Sequence, residues 1–298
     1  MQPEEKSGQW RGRLLVIAAA VLWSSSGFFA KAPIFADWPI ETRGVTLTFW
    51  RAFFASLMLI FFVRKIQWTT RLLPMVATFA LMNWTYMSAM VHCEASLAIW
   101  LQYTAPAWVF LFSWLFWKEK PEPRNWILLG FAAVGVGVIL WAEITGASFR
   151  GVQFGLASAV FFAGVIVCLR GLRDIDAAWL VFLNHAVTAV LFSPSVLTNE
   201  ATWPSGSQWI YLALFGMLQM GLPYVLFARG LRTVSSHEAS GLSLLEPVLV
   251  PLWVFFAWRS AVDYQFPATT TLIGAALILF GLLASLDWPR KRGTNSKN

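Results

Sequence analysis

The sequence predicts an all-α polytopic membrane protein, ten transmembrane helices arranged as two inverted five-helix repeats. Three observations carry this. Of 298 residues, 58% are hydrophobic and only 12% are charged. A soluble domain carries about 25% charged residues, so this chain cannot cover a water-facing exterior. Ten apolar segments then recur, at 14–34, 45–63, 72–91, 95–117, 125–142, 151–169, 177–197, 209–228, 238–258 and 268–287. Each is near the roughly 20 residues needed to cross a hydrocarbon layer of about 30 Å. Finally, a proline-led stretch occurs twice. PAWVFLFSWLFWKE from Pro106 is echoed by PVLVPLWVFFAWRS from Pro247, and Trp117-Lys118 matches Trp258-Arg259 at the same offset of 141.

Five spans per half is an odd number, so the second copy must enter the membrane from the opposite side. Placing Lys and Arg on alternating sides puts 17 of 22 on one face, including Arg11, Arg13, Arg64, Lys65, Arg124 and Arg173. Four fall on the other, Lys31, Arg43, Arg150 and Arg259, and Arg51 sits within a span. This excess predicts both termini in the cytoplasm. The net charge of +7 therefore reads as topology, with membrane lipid headgroups as its implied partner rather than nucleic acid. The polar start MQPEEKSGQWRGR runs into a full-length span, which predicts no cleaved signal peptide. Cys93 and Cys168 have no metal-ligand spacing and read as structural thiols.

The first span carries Trp23-Ser24-Ser25-Ser26-Gly27, a small polar run that permits close backbone approach or leaves room for a cavity. The second opens with Trp50-Arg51-Ala52. Its arginine either snorkels to the headgroups or faces the bundle and pairs there. In the third span, Asn83, Tyr86 and Met90 recur at helical spacing, as do Ser96, Trp100, Tyr103 and Ala107 in the fourth. Pro106 near the middle of the fourth span removes a helical hydrogen bond and predicts a bend that neighbours can re-satisfy.

The fifth and tenth spans carry Gly130 and Gly137, and Gly274 and Gly281, each pair two turns apart and read as helix–helix packing. The region 143–150 is the expected seam between a first repeat, 1–142, and a second, 151–287, followed by a basic cytoplasmic tail, 288–298. The sixth span repeats the small-residue face of the first, with Gly151, Gly155, Ser158 and Gly164. The seventh holds Asn184-His185, which either bonds across helices or lines a wet cavity. The eighth brings Gln219, Pro223 and Tyr224, and the ninth Ser240, Ser243, Glu246 and Pro247. Trp68, Trp117, Trp126, Trp209 and Trp288 are placed as interfacial belt residues. Inverted bundles of this kind are the architecture of secondary transporters, with the binding site near the midplane.

Leu22-Trp23-Ser24, Trp50-Arg51-Ala52, the Tyr86–Pro106 stretch, Leu245-Glu246-Pro247 and the glycine pairs occur in an order that resembles the drug/metabolite transporter superfamily. The likeness is to its ten-helix family with two EamA-type repeats, and it covers about residues 13–287. Within it, the wealth of Trp and Phe and the placement of Tyr86 and Tyr103 look most like bacterial aromatic amino acid exporters. That resemblance implies an inner-membrane carrier for aromatic and other neutral amino acids. The first repeat has Ala105-Pro106 where the second has Glu246-Pro247, so a scheme with two symmetric carboxylates is not expected.

The candidate substrate site is a central cavity lined by Asn83, Tyr86, Trp100, Gln102 and Tyr103 from the first repeat. Gln219, Tyr224, Ser243 and Glu246 complete it from the second. Amides and hydroxyls suit the zwitterionic end of an amino acid, and aromatic faces suit its side chain. Glu246 is either a functional carboxylate or a cap on backbone donors where the helix bends. Pro106, Pro223 and Pro247 are the expected bending points. No zinc HExxH, serine-elbow or nucleotide-loop motif is present, and His92, His185 and His237 are scattered. A transporter without cofactor or metal is therefore expected, not an enzyme.

Overall fold

The computed structural model describes residues 3–118, 122–143, 148–234, 236–261, 264 and 266–285. These form α1 (Pro3–Ser24, continued by Ser26–Ala30), α2 (Ile40–Leu59), α3 (Leu72–His92), α4a (Ala95–Gln102) and α4b (Ala105–Trp117). Then come α5 (Pro123–Glu143), α6 (Phe149–Arg170) and α7 (Ala177–Leu197). Next is α8, built from Gln208–Leu214, a π-helical turn Phe215–Gly221 and Leu222–Gly230. The order closes with α9a (Ser236–Ser243), α9b (Leu245–Trp258) and α10 (Thr269–Ser285). The tail 288–298 and residues 144–147 of the seam lie outside the described residues.

Eight stretches among the described residues are long and apolar enough to span a membrane. The two remaining expected spans are helical as well. α3 has 21 residues but is made polar by Asn83, Thr85, Tyr86, Ser88 and His92, and α10 is apolar over 17 described residues. Leu191, Phe256 and Phe280 point outward, as expected where hydrocarbon rather than water is the solvent.

The packing follows the duplication. α2 packs on α7 and α5 on α10; α1 packs on α8 as α6 packs on α3; α9 packs on α1 as α4 packs on α6. Exchanging each helix for its counterpart five positions on maps this set onto itself, as two repeats related by a pseudo-twofold axis require.

Two sequence expectations are corrected. Gly130 and Gly137 have open space where a Cβ would sit, so they are not the packing glycines of α5. Gly135 is: its Cβ position meets the Gly274 carbonyl, and that of Gly274 meets the Gly135 carbonyl. The two backbones cross in contact there. In the fourth and ninth spans, breaks precede the prolines rather than fall on them. Tyr103-Thr104 separates α4a from α4b, and Leu244 separates α9a from α9b. A proline in the first turn of the following half-helix leaves that half intact and removes only the bond back to the preceding half-helix.

Candidate functional site

Polar residues of the bundle lie at interruptions of α1, α4, α8 and α9 and midway along the unbroken α2, α3 and α7. Pro247 cannot donate to the carbonyl four residues back, that of Ser243. The Tyr103 hydroxyl takes over this task, lying 3.1 Å from the Ser243 carbonyl and 2.9 Å from Glu246 Oε2. One side chain at the break of the fourth span thus satisfies the break of the ninth. Glu246 lies in the first turn of α9b, where the helix dipole favours a negative group. Its hydrogen bond among the described residues goes to Tyr103 rather than to a backbone N–H, so the backbone-cap reading of this acid is not what the structure displays.

α1 frames the same region. Ser24 and Ser25 bond back to the carbonyls of Val21 and Leu22, both at 2.6 Å, a habit that bends helices, and α1 is interrupted at Ser25. Next to this bend Ser26 Oγ meets Tyr86 Oη at 2.9 Å, and Ser24 accepts from Trp253 Nε1 at 2.8 Å. The carbonyl of Trp23 accepts from Gln219 Nε2 at 3.0 Å. Gly27 packs closely on Val250, Val254 and Ala95. Of its two expected roles the small polar run shows close packing, at Gly27, and its serines bond to neighbouring groups as well.

Of the two positions open to Arg51 from sequence, the structure shows the one facing the bundle. The residue is 2% exposed, donates to Asn83 Oδ1, and its guanidinium lies 5.1 Å over the ring of Phe215. Snorkelling to the headgroups is ruled out. The reason is a boundary: α2 starts at Ile40, not near 45, so Arg51 lies 11 residues, about 16 Å, inside the helix. Phe215 opens the π-helical turn of α8, and Gly216 lets this turn press on the α2 backbone at Arg51. Such turns are frequent at functional sites. Gln219 and Pro223 flank its end.

The remaining expected residues lie on the same helices. Trp100 is buried with its ring 6.4 Å from that of Tyr103, and Gln102 is buried on the same half-helix. Tyr224 meets Trp23 edge-on at 5.2 Å and His185 at 5.9 Å. Ser243 bonds within its own helix, to Ala239. Both ring nitrogens of His185, Asn184 Oδ1 and Gln219 Oε1 are buried without a hydrogen-bond partner among the described residues. Buried polar atoms left this way are costly, and these belong to α7 and α8. Trp68 and Trp126 are exposed as belt residues are, whereas Trp209 is packed against Trp50 and Trp203.

The model of the EamA-like transporter family matches residues 10–141 and again 149–286. The chain belongs to this family. An uncharacterized transporter of Archaeoglobus fulgidus is 26% identical over 277 residues, covering 91% of this chain and 95% of its own. The pseudopaline exporter CntI of Pseudomonas aeruginosa is 26% identical over 203 residues, with 67% and 68% covered. A solved crystal structure with 21% identity superposes with a TM-score of 0.62 over 92% of this chain and 96% of the other, a likeness of fold. As an EamA-like transporter the chain is a polytopic membrane protein, and its double match reflects the duplicated architecture.

Proposed function

We propose that this EamA-like transporter exports amino acids, the aromatic and other neutral ones, by alternating access through a central cavity between the repeats. The observation that carries the reading is the Tyr103–Glu246 bond, which ties the broken fourth span to the broken ninth across the repeat boundary. A guest that competes for this bond loosens one half from the other. Around it, Asn83, Gln102, Gln219 and Ser243 supply amide and hydroxyl groups, while Tyr86, Trp100, Tyr103 and Tyr224 supply ring faces. Pro106, Pro223 and Pro247 mark where the helices flex. The carrier sits in the cytoplasmic membrane of a bacterium with both termini inside, as the charge bias supports. The family match supports a transporter over an intramembrane enzyme.

The test is transport of radiolabelled amino acids by purified protein in proteoliposomes. Tyr86→Ala and Tyr103→Ala are expected to weaken phenylalanine and tryptophan transport about tenfold and small polar amino acids less, because apolar walls set side-chain preference. Gln219→Ala is expected to weaken all of them together. Equal loss of every substrate in the tyrosine variants, at normal folding, would make those rings gate or packing residues. A second reading is export of another small metabolite, supported by the likeness to the pseudopaline exporter.

A further inference from the structure

The amino acid reading above rests on neutral donors and rings, yet the site holds two opposite charges. Arg51 and Glu246 are in electrostatic range of each other, and both are in range of Tyr86 and Tyr224. They are not paired. The ion pairs among the described residues are Arg13–Glu238, Arg71–Asp174 and Arg124–Glu122. Opposite charges inside a membrane bundle ordinarily neutralise one another. Here each is tethered separately.

The tethers hold them apart. Arg51 is fixed by Asn83 on α3 and by the Phe215 ring of the π-helical turn. Glu246 is fixed by Tyr103 from the break of α4. The guanidinium has five N–H groups, and its hydrogen bond among the described residues, to Asn83 Oδ1, uses one of them. In electrostatic range of it lies His185, whose ring nitrogens are buried without a hydrogen-bond partner among the described residues. A buried arginine with spare donors matches a planar carboxylate in fork geometry, and a carboxylate matches an ammonium.

We propose that Arg51 and Glu246 form a zwitterion cradle: Arg51 receives the substrate's carboxylate and Glu246 its ammonium, bridging the repeats through the guest. This deepens the amino acid reading and rests on it. The two charges come from opposite repeats, α2 of the first and α9 of the second. A bound zwitterion therefore completes an electrostatic link that neither half has alone, while a ligand with one charge leaves the other buried and uncompensated. Asn83 and Tyr103 act as positioning residues for the two charged groups.

The experiment uses the full chain in proteoliposomes and measures how well analogues inhibit phenylalanine counterflow. Phenylalanine amide lacks the carboxylate, and 3-phenyllactate lacks the ammonium. The cradle requires both to inhibit at least tenfold more weakly than phenylalanine. In Arg51→Gln the handicap of the amide should shrink toward one while that of phenyllactate persists, and in Glu246→Gln the reverse should hold. Arg51→Lys should keep the charge preference at reduced affinity. If the wild-type protein moves phenylalanine but both analogues compete equally well, the cradle is wrong and the amino acid reading stands. The cradle is equally wrong if the variants keep both handicaps unchanged. If no amino acid is moved at all, the amino acid reading falls and takes the cradle with it. The wild-type competition decides the matter even where a variant fails to fold.

Discussion

A single hydroxyl, that of Tyr103, serves two partners from another repeat. It faces a carbonyl that Pro247 leaves without its helical donor and a carboxylate in the same turn. Removing it while keeping the ring separates these duties from stacking. Tyr103→Phe is expected to lower thermal stability by about 1–3 kcal/mol, the penalty of stranding a buried acceptor. Relative preference for aromatic substrates should persist, because the ring face survives. Melting curves in detergent and substrate competition at matched protein amounts check both parts. An unchanged melting temperature would mean that another group already serves the Ser243 carbonyl.

At the scale of elements, helix–helix contact depends on which small residues face a partner rather than on their spacing alone. Gly135 and Gly274 meet backbone to backbone at the crossing of α5 and α10, and Gly281 lies against Phe131 and Leu128. A side chain at Gly274 would meet the backbone carbonyl of Gly135, which cannot swing aside, and the fully buried side chain of Ile139. Gly274→Leu is therefore expected to cost about 1–3 kcal/mol or more through overpacking and to reduce the yield of monodisperse protein. Gly130→Ala, in open space, should change stability by less than about 0.5 kcal/mol. Size-exclusion profiles with thermal melts of the two variants give the comparison. Equal behaviour would mean that the α5–α10 crossing contributes little to folding.

For the whole molecule, two five-helix repeats of opposite orientation require opposite locations for points an odd number of spans apart. A reporter fused after Asn298 is expected in the cytoplasm, and one inserted near Glu200, between α7 and α8, outside. Complementary phosphatase and fluorescent fusions read this directly. Both reporters on one side would remove either a span or the inversion. The contact pattern supports the duplication independently of charge, since α1 on α8 mirrors α6 on α3.

Period, length and composition are local properties, and they determined what local properties can: the helices, the breaks in the neighbourhood of Pro106 and Pro247, the duplication and the family. A span shows itself because hydrocarbon tolerates little else. The residues at mid-height were legible as stripes, which is why Asn83, Tyr86, Tyr103, Gln219 and Glu246 were singled out. Their partners were not legible. That Tyr103 meets Glu246 and Ser243 from 143 and 140 residues away depends on how the repeats fold onto each other. So does the choice of Gly135 over Gly130, since spacing shows which residues share a face but not which face finds a neighbour. Arg51 shows the same limit most plainly. Its charge was visible, but its depth depended on where α2 begins, and its partners lie on α3 and α8. Only the tertiary structure could turn an arginine near a span's edge into a buried cation at the bundle's centre, because burial is a property of everything packed around a residue.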